Sequence, residues 1–187
     1  AFITGITGQD GSYLAELLLE KKYIVHGLLR RTSILNVERI QDTINRNVKT
    51  GKLKLHYMDL TDTSSISNLI KKFKPHEFYN LAAMSHVGIS YYTGEATINI
   101  NSVASYRIQE AILNNHKSCK FYQASSSEMF GSTPPPQNEK TNFNPQSPYG
   151  ISKVSAYYTT KYFRQAHGLF ASNGILFNHE SPRRGET

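Results

Sequence analysis

The chain has 187 residues, of which 39% are hydrophobic and 19% are charged, and its formal net charge is +7. This composition is ordinary for a globular protein with its own hydrophobic core, and it excludes an intrinsically disordered chain. A single cysteine, Cys119, excludes an internal disulfide framework, and no apolar run reaches the ~20 residues that a membrane-spanning helix needs.

Short β-rich runs alternate with amphipathic stretches along the whole chain. Strands are predicted at residues 1–4, 24–29, 53–57, 77–81, 120–125 and 170–177. Helices are predicted at residues 12–22, 37–45, 63–73, 97–114 and 148–167, and a proline-rich loop at 133–147. This alternation is typical of parallel βαβ units with right-handed crossovers. The sequence therefore predicts an α/β fold with a doubly wound parallel sheet, the Rossmann arrangement.

A glycine-rich turn joins the first predicted strand to the first predicted helix. Its sequence is Gly5-Ile6-Thr7-Gly8-Gln9-Asp10-Gly11. In this context the first glycine permits a tight turn, the second lets backbone N–H groups approach a pyrophosphate, and the third lets helix and strand pack closely. The pattern predicts a dinucleotide site, and the strand–turn–helix context is what makes it specific.

Residues at the ends of the next strands indicate which dinucleotide binds. A site for NAD usually places an acidic residue after the second strand, whereas this chain has Arg30 and Arg31. Two guanidinium groups suit a 2′-phosphate, so the pair predicts NADP. Asp59, after the third strand, is placed to accept the adenine amino group. Ala82 and Ala83, after the fourth strand, are small enough for a cofactor to lie across them.

Two further motifs predict acid–base chemistry. Tyr149 and Lys153 lie four residues apart and therefore share one helix face. A neighbouring ammonium group favours the phenolate, which predicts that Tyr149 acts as a base close to neutral pH. Ser126, at the end of the fifth strand, offers a hydroxyl to a substrate oxygen. Glu128 adds a carboxylate, and hence a second base for a different proton.

Together these motifs resemble the N-terminal half of the GDP-mannose 4,6-dehydratases, a family of extended short-chain dehydrogenases/reductases. The resemblance is carried by residues 4–13, 29–31, 79–87, 123–131, 147–153 and 173–186. It covers essentially the whole chain. It implies that residues 1–187 form an NADP-binding Rossmann domain carrying the catalytic residues, with a smaller substrate domain largely beyond residue 187.

The resemblance also implies site residues. The family's catalytic hydroxyl, glutamate, tyrosine and lysine fall on Ser126, Glu128, Tyr149 and Lys153. Cofactor positions, with those argued above, fall on Gly5, Ile6, Thr7, Gly8, Gln9, Asp10, Gly11, Arg30, Arg31, Asp59, Leu60, Leu81, Ala82, Ala83, Ser85, Lys153, His179 and Arg184. Substrate contacts are implied for Ser85, Glu128, Tyr149 and Asn178. Ser126 stands where the family usually has Thr, which keeps the hydroxyl.

The implied activity is the NADP-dependent dehydration of GDP-D-mannose to GDP-4-dehydro-6-deoxy-D-mannose, a first step towards GDP-fucose and other GDP-6-deoxyhexoses. Tyr149 would take the C4 hydroxyl proton as hydride leaves C4. Glu128 would remove the C5 proton and assist loss of the C6 hydroxyl, after which hydride returns to C6. The resemblance further implies a homo-oligomer, a dimer or tetramer, with residues 32–39 as an interface arm.

Two positions depart from the family pattern. Lys22 stands where the family usually has Gly at a helix end, which predicts a less stable cap. Residues 91–101 diverge, and no site residue is assigned there. The chain begins inside a strand pattern without the features of a signal peptide, so we expect part of a longer, cytoplasmic protein.

The same residues discriminate between the competing functions. The seven histidines show no His-x-x-x-His or His-Glu-x-x-His spacing, so no metal is expected. The runner-up is a sugar-nucleotide epimerase or reductase on the same scaffold, for which Glu128 has no clear task. A non-catalytic NADP sensor or nucleic-acid-binding protein would fit the positive charge but has no use for the Tyr149–Lys153 pair. We therefore expect GDP-mannose as partner, and neither nucleic acid nor a membrane.

Overall fold

The computed structural model describes residues 1–32 and 36–185. Within these residues, six parallel strands form one sheet in the order β3-β2-β1-β4-β5-β6. The strands are β1 (Phe2–Thr4), β2 (Val25–Leu29), β3 (Leu53–Tyr57), β4 (Glu77–Asn80), β5 (Lys120–Ser126) and β6 (Ala171–Leu176). Because the direction of winding reverses between β1 and β4, the predicted doubly wound α/β fold is confirmed.

Helices connect the strands. They are α1 (Gln9–Glu20), α2 (Gln41–Asn47), α3 (Thr63–Phe73), α4 (Val87–Ser90), α5 (Gly94–Ile98), α6 (Ala104–Asn115) and α7 (Pro148–His167). A π-helical turn, Asn99–Val103, joins α5 to α6, and short 3₁₀ turns occupy Glu38–Ile40 and Ser127–Met129. The single helix predicted at 97–114 is therefore wrong in detail, and α4 was not predicted. None of the helices in the described ranges is long and apolar enough to span a bilayer.

Alternation of side chains along β1 builds two cores, one on each face of the sheet. Phe2 packs into a cluster that includes Phe78 and Ile108, whereas Ile3 packs into a second cluster that includes Leu18. Each fully buried side chain of this size contributes about 1.5–3 kcal/mol of transfer free energy. The two cores fix the sheet between its helices and leave the carboxyl ends of the strands at one edge.

The predicted bounds of α7 are confirmed, and residues at both of its ends explain them. The Ser147 hydroxyl caps the helix by accepting a hydrogen bond from the Gly150 N–H at 3.0 Å, and Pro148 occupies the first turn. Gly168 ends the helix with a left-handed φ of +67°. This cap holds Tyr149 at the first turn of the helix, next to the end of β5.

Lys22, just after α1, adopts a left-handed backbone conformation with φ of +67°. A side chain in this region is strained because Cβ approaches the following carbonyl oxygen, whereas glycine adopts it freely. We expect Lys22→Gly to raise the free energy of unfolding by about 1 kcal/mol. Urea denaturation of the full-length protein measures this change.

The neighbouring Lys21 provides the matched control, since its φ is −74°. Lys21→Gly removes the same side chain from an unstrained position and is expected to leave the stability unchanged or slightly reduced. If both glycine variants change the free energy of unfolding equally, then backbone strain at Lys22 does not lower the stability of the protein.

Candidate active site

Two adjoining cavities run along the carboxyl ends of the central strands. The larger measures about 550 Å³ and the smaller about 320 Å³. Gly5, Thr7, Ala82 and Ala83 line both, so the cavities form one cleft across β1 and β4. This is the topological switch point at which doubly wound sheets bind their ligands. A polar groove of about 1020 Å³ lies between α1, α2 and residues 182–185, and it shares Arg39 and residues 183–185 with the larger cavity.

The glycine turn opens directly into this cleft at the amino end of α1. Gly5 has a φ of +68°, and a Cβ there would lie 2.8 Å from the Ala82 nitrogen. A Cβ on Gly11 would lie 2.2 Å from the Gly5 carbonyl oxygen. Any other residue at either position would force the backbone apart. The turn therefore packs tightly at the positive end of α1, where the predicted pyrophosphate would bind.

A buried polar row beneath the turn was not predicted. The Thr4 hydroxyl donates to Asn80 Oδ1 at 2.8 Å and accepts from the N–H groups of Leu81 and Ala82 at 3.0 and 3.1 Å. Asn80 Nδ2 in turn donates to Gln123 Oε1 at 2.9 Å. These bonds join β1, β4 and β5 at the cleft and fix the backbone of its floor. The sequence signal was the presence of polar residues at the ends of otherwise apolar strands.

The residues predicted to recognise the adenosine half lie around the smaller cavity. Arg30, Asp59 and Leu60 line it, whereas Arg31 is exposed and is not among the residues that line it. Asp59 Oδ1 accepts hydrogen bonds from the Thr61 N–H and hydroxyl at 2.8 and 2.7 Å. These two bonds hold the pKa of Asp59 below its ordinary value, and the positive charge of Arg30 adds to the effect.

The predicted interface arm at 32–39 includes residues 33–35, which lie outside the described residues.

Lys153 is almost fully buried beneath the larger cavity. Its Nζ donates to the Ala124 carbonyl oxygen at 2.8 Å and lies 5.6 Å from the centre of the Tyr149 ring. Burial lowers the pKa of Lys153 to about 8. The helix positions both side chains on one face, as the spacing predicted, and the end of β5 supplies the carbonyl that anchors the ammonium group.

Tyr149 is 8% exposed, and burial raises its pKa above the ordinary value. A hydrogen bond with Ser126 lowers this pKa, and the nearby Glu128 charge raises it. The lowering of this pKa that we expected from the Lys153 ammonium group is therefore not seen in this arrangement, and the role of Tyr149 as a base stays a prediction. Desolvation dominates, and Lys153 is directed at the Ala124 carbonyl.

Glu128 lies on the 3₁₀ turn that follows β5, half-buried and next to the first turn of α7. Its N–H donates to the Ser126 hydroxyl at 3.2 Å, so the strand end and the turn are held together. A Cβ on Gly150 would lie 2.8 Å from the Glu128 carbonyl oxygen. The glycine after Tyr149 thus allows the turn to approach α7. The structure brings Ser126, Glu128 and Tyr149 together, as predicted.

The segment after β6 forms the wall opposite α7. Asn178, His179 and Arg184 line the larger cavity together with Ser85. His179 Nε2 pairs with Asp10 Oδ1 at 2.6 Å, and the His179 carbonyl oxygen accepts from Gln9 Nε2 at 3.2 Å. His179 therefore meets the glycine turn directly, whereas Arg184 donates to the His179 carbonyl oxygen at 3.3 Å and pairs with Glu180 in its own segment.

Arg183, which was not predicted, anchors the same segment from behind. Its guanidinium group donates to Glu16 Oε1 at 2.7 Å and to the Ser12 hydroxyl at 3.1 Å. The group also lies 4.1 Å from the centre of the Tyr13 ring. Arg39 Nε donates to the Arg183 carbonyl oxygen at 2.6 Å. Within the described ranges, 1–32 and 36–185, no group of three His, Cys, Asp or Glu side chains is arranged to hold a metal ion.

The Asp10–His179 pair predicts a pH dependence. The hydrogen bond to Asp10 is the main cause that raises the pKa of His179 above its ordinary value. Because the folded pKa is raised, the stabilisation by this pair is fully present below about pH 6.5 while Asp10 is ionised, and it is lost as the pH rises through the higher folded value. Asp10→Asn is expected to return the pKa of His179 towards its ordinary value, which an NMR titration of the imidazole measures.

Glu20→Gln is the matched control, because it removes an exposed carboxylate from the far end of the same helix. The titration of His179 should be unchanged in that variant. An equal shift in both variants, or none in Asp10→Asn, would contradict the assigned pair.

Known proteins share this architecture. The dTDP-glucose 4,6-dehydratase of Streptomyces venezuelae, solved with NAD bound, aligns with a TM-score of 0.83 at 20% identity, covering 98% of this chain and 57% of that chain. The UDP-Glc/GlcNAc 4-epimerase of Campylobacter jejuni aligns with a TM-score of 0.82 at 22% identity, covering 94% of this chain and 52% of that one. At these identities the likeness shows the fold alone.

Sequence relatives are much more similar. GDP-mannose 4,6 dehydratase 2 of Arabidopsis thaliana is 54% identical over 192 residues, covering all of this chain and 52% of the relative. The GDP-mannose 4,6-dehydratase of Vibrio cholerae serotype O1 is 50% identical over 191 residues, covering 51% of the relative. The chain thus spans about half the length of these curated relatives. Residues 2–187 match the family described as GDP-mannose 4,6 dehydratase, and the chain belongs to that family.

Proposed function

We propose that the full-length protein dehydrates GDP-D-mannose to GDP-4-dehydro-6-deoxy-D-mannose, which would supply GDP-fucose and other GDP-6-deoxyhexoses. Membership of the family and the names of relatives at 50–54% identity support the substrate. The observation that carries the reaction type is the position of Glu128, whose carboxylate lies near enough to Tyr149 to raise the pKa of the phenol and whose backbone N–H is held by the Ser126 hydroxyl. A carboxylate there provides a second base, which dehydration requires.

We infer that NADP is the cofactor. The glycine turn brings the amino end of α1 to the edge of the cleft, and its tight backbone packing, which leaves no room for a Cβ on Gly5 or Gly11, supports a pyrophosphate site there. Arg30 lines the smaller cavity next to Asp59, which fits an adenosine carrying a 2′-phosphate. When bound, NADP supplies the hydride acceptor and donor of the reaction. Gly8, Gln9, Asp10 and the other predicted residues of the turn would hold its phosphates.

We assign proton transfer at C4 to Tyr149 and the residues around it. Its hydroxyl is the group that would take the C4 hydroxyl proton, and Ser126 is placed to hydrogen-bond the same sugar oxygen. Lys153 stabilises the phenolate through its positive charge once the proton has moved. Burial raises the pKa of Tyr149, so the positive charge of Lys153 would have to offset the free-energy cost of a buried phenolate.

Glu128 would act on a different proton. A ketone at C4 acidifies the hydrogen at C5, and a carboxylate on the same side of the sugar removes it as the C6 hydroxyl leaves as water. Ser85 and Asn178 line the same cavity and would contact the sugar. We also propose that a substrate domain beyond residue 187 binds the nucleotide of the substrate. The full-length protein would be a cytoplasmic dimer or tetramer.

The choice of NADP over NAD has its own test. Charge-assisted hydrogen bonds contribute about 1.5–3 kcal/mol each, so Arg30→Ala and Arg31→Ala should each weaken NADP binding by about 10- to 100-fold. NAD has no 2′-phosphate, so its affinity should stay unchanged and provides the control. Isothermal titration of both dinucleotides measures this. Equal affinity of the wild type for NADP and NAD would contradict the assignment of these arginines.

An epimerase on the same scaffold is the second candidate, because Ser126, Tyr149 and Lys153 would serve oxidation at C4 in either reaction. The test is to incubate the full-length protein with GDP-mannose or UDP-glucose and to identify the product by NMR. We expect the 4-keto-6-deoxy sugar from GDP-mannose. A C4 epimer from either sugar nucleotide would contradict the proposal.

A further inference from the structure

The backbone carbonyl oxygen that anchors Lys153 has a second donor. The Ala124 oxygen accepts from Lys153 Nζ at 2.8 Å and also from Gln123 Nε2 at 3.1 Å. Gln123 is 1% exposed, and its side chain lies inside the protein beside the buried ammonium group. The Gln123 amide therefore shares the anchor of the lysine to which we assign a role at C4.

The orientation of the Gln123 amide is fixed from the floor of the cleft. The Thr4 hydroxyl accepts from two backbone N–H groups, so its one hydrogen is donated to Asn80 Oδ1. The other atom of the Asn80 amide is then Nδ2, which donates to Gln123 Oε1 at 2.9 Å. Ser105 on α6 donates to the same oxygen at 2.8 Å. Because Oε1 faces two donors, Nε2 faces Ala124.

These hydrogen bonds run in one direction, from the floor of the cleft to the anchor of Lys153. Each side chain accepts from the group before it and donates to the next, and such a chain of bonds polarises its members in the same sense. Thr4, Asn80 and Gln123 are each at most 2% exposed. The chain of bonds therefore holds a donor against the Ala124 carbonyl, whether or not Lys153 is bonded to it.

Lys153 has two partners to serve from one buried position. Its ammonium group is bonded to Ala124, while the centre of the Tyr149 ring lies 5.6 Å from Nζ. If Lys153 turned from the carbonyl to a Tyr149 phenolate, a buried acceptor would be left without a donor, which is costly. The Gln123 amide removes this cost, because the carbonyl keeps one hydrogen bond.

We propose that Gln123 is a positioning residue, which keeps the Ala124 carbonyl paired and so frees Lys153 to turn towards the Tyr149 phenolate. The role rests on the proposed function, because that function assigns Tyr149 as the base at C4. Without the Gln123 donor, the carbonyl would bond to Lys153 alone and hold it more firmly. The phenolate would then lose support, and oxidation at C4 would require a higher pH.

The test compares Gln123→Met with Ser105→Ala in the full-length protein, by the pH profile of NADPH formation from GDP-mannose in a single turnover. Methionine keeps the length of the side chain and removes its amide. In Gln123→Met we expect the profile to shift to higher pH by about one unit, so that oxidation near neutral pH is slowed by about 10-fold. Glu128 is the other charged group that acts on Tyr149, and it stays in place in both variants.

Ser105→Ala is the matched control, because it removes one donor from Gln123 Oε1 and leaves Nε2 on Ala124. Its pH profile should equal that of the wild type. An equal shift in Ser105→Ala and Gln123→Met would overturn the role of Gln123, because any disturbance of the buried bonds would then have the same effect.

Gln123→Glu tests the same role if methionine disturbs the fold. Glutamate keeps an oxygen for the donors on β4 and α6 and loses the N–H group on Ala124. Its carboxylate would attract the ammonium group and hold it away from Tyr149, so the profile should again shift to higher pH. A purely structural role predicts a wild-type profile for this variant, and that result would overturn the proposal.

A measurement without substrate separates this role from the proposed function. The pKa of Lys153, which burial lowers to about 8, should rise in Gln123→Met, because the carbonyl then bonds to the ammonium group alone. NMR titration of the Lys153 side chain in the protein without cofactor measures this pKa, and an unchanged value would overturn the role of Gln123. A wild-type protein that binds cofactor but does not oxidise GDP-mannose would instead contradict the proposed function, while the titration still decides on Gln123.

Discussion

Replacement of Glu128 by Gln is expected to slow product formation by about 10²- to 10⁴-fold, the range for loss of a general base. Glutamine keeps the shape of the side chain and the N–H bond to Ser126 but has no basic oxygen. Oxidation at C4 depends on Tyr149 and Lys153, so that step should survive. Elimination requires removal of the C5 proton, so the reaction should stop after oxidation.

The measurement is the absorbance of NADPH after full-length Glu128→Gln is mixed with GDP-mannose, together with release of labelled C5 hydrogen to solvent. We expect the absorbance to rise and persist, with little release of the label. Glu139→Gln removes an exposed carboxylate from the loop after β5 and should behave as wild type. Product formation at a near wild-type rate in Glu128→Gln would remove the main mechanistic support for dehydration.

Tyr149→Phe is expected to block the reaction earlier, with C4 oxidation also slowed by about 10²- to 10⁴-fold. The ring is nearly buried, so phenylalanine keeps its packing and removes only the hydroxyl that would take the proton. No NADPH should accumulate, in contrast to Glu128→Gln. The two variants therefore separate the oxidation step from the elimination step.

Stopped-flow absorbance at the NADPH band measures this difference in a single turnover. Tyr158→Phe is the matched control, because it removes the same hydroxyl from an exposed position of α7. Accumulation of NADPH in Tyr149→Phe at the rate seen in the control would show that another group accepts the C4 proton.

Features with local causes could be predicted from the sequence. The bounds of α7 follow from the Ser147 cap, the proline beside it and Gly168, all of which act within one helical turn. The glycine turn follows from the close approach of Gly11, in the first turn of α1, to the Gly5 carbonyl oxygen. The doubly wound parallel sheet follows from the alternation of strands and helices, because parallel crossovers have one hand.

Features with tertiary causes could not be predicted. The π-helical turn depends on the bonds of Asn101 to Met84 and Ser152, which are 17 and 51 residues away in the sequence. The raised pKa of Tyr149 depends on burial by several elements. The anchoring of the last segment by Arg183 depends on Glu16, 167 residues away, and no local pattern marks either residue.

The most direct test of dehydration uses GDP-mannose with deuterium at C4 and the full-length protein. Internal hydride transfer removes the deuterium from C4 and returns it to C6 of the same sugar, while a solvent proton is added at C5. NMR of the product should therefore show deuterium at C6 of a 4-keto-6-deoxy sugar. Deuterium that returns to C4 of an intact hexose would instead show epimerisation, and would contradict the account of Glu128 and the function proposed for this protein.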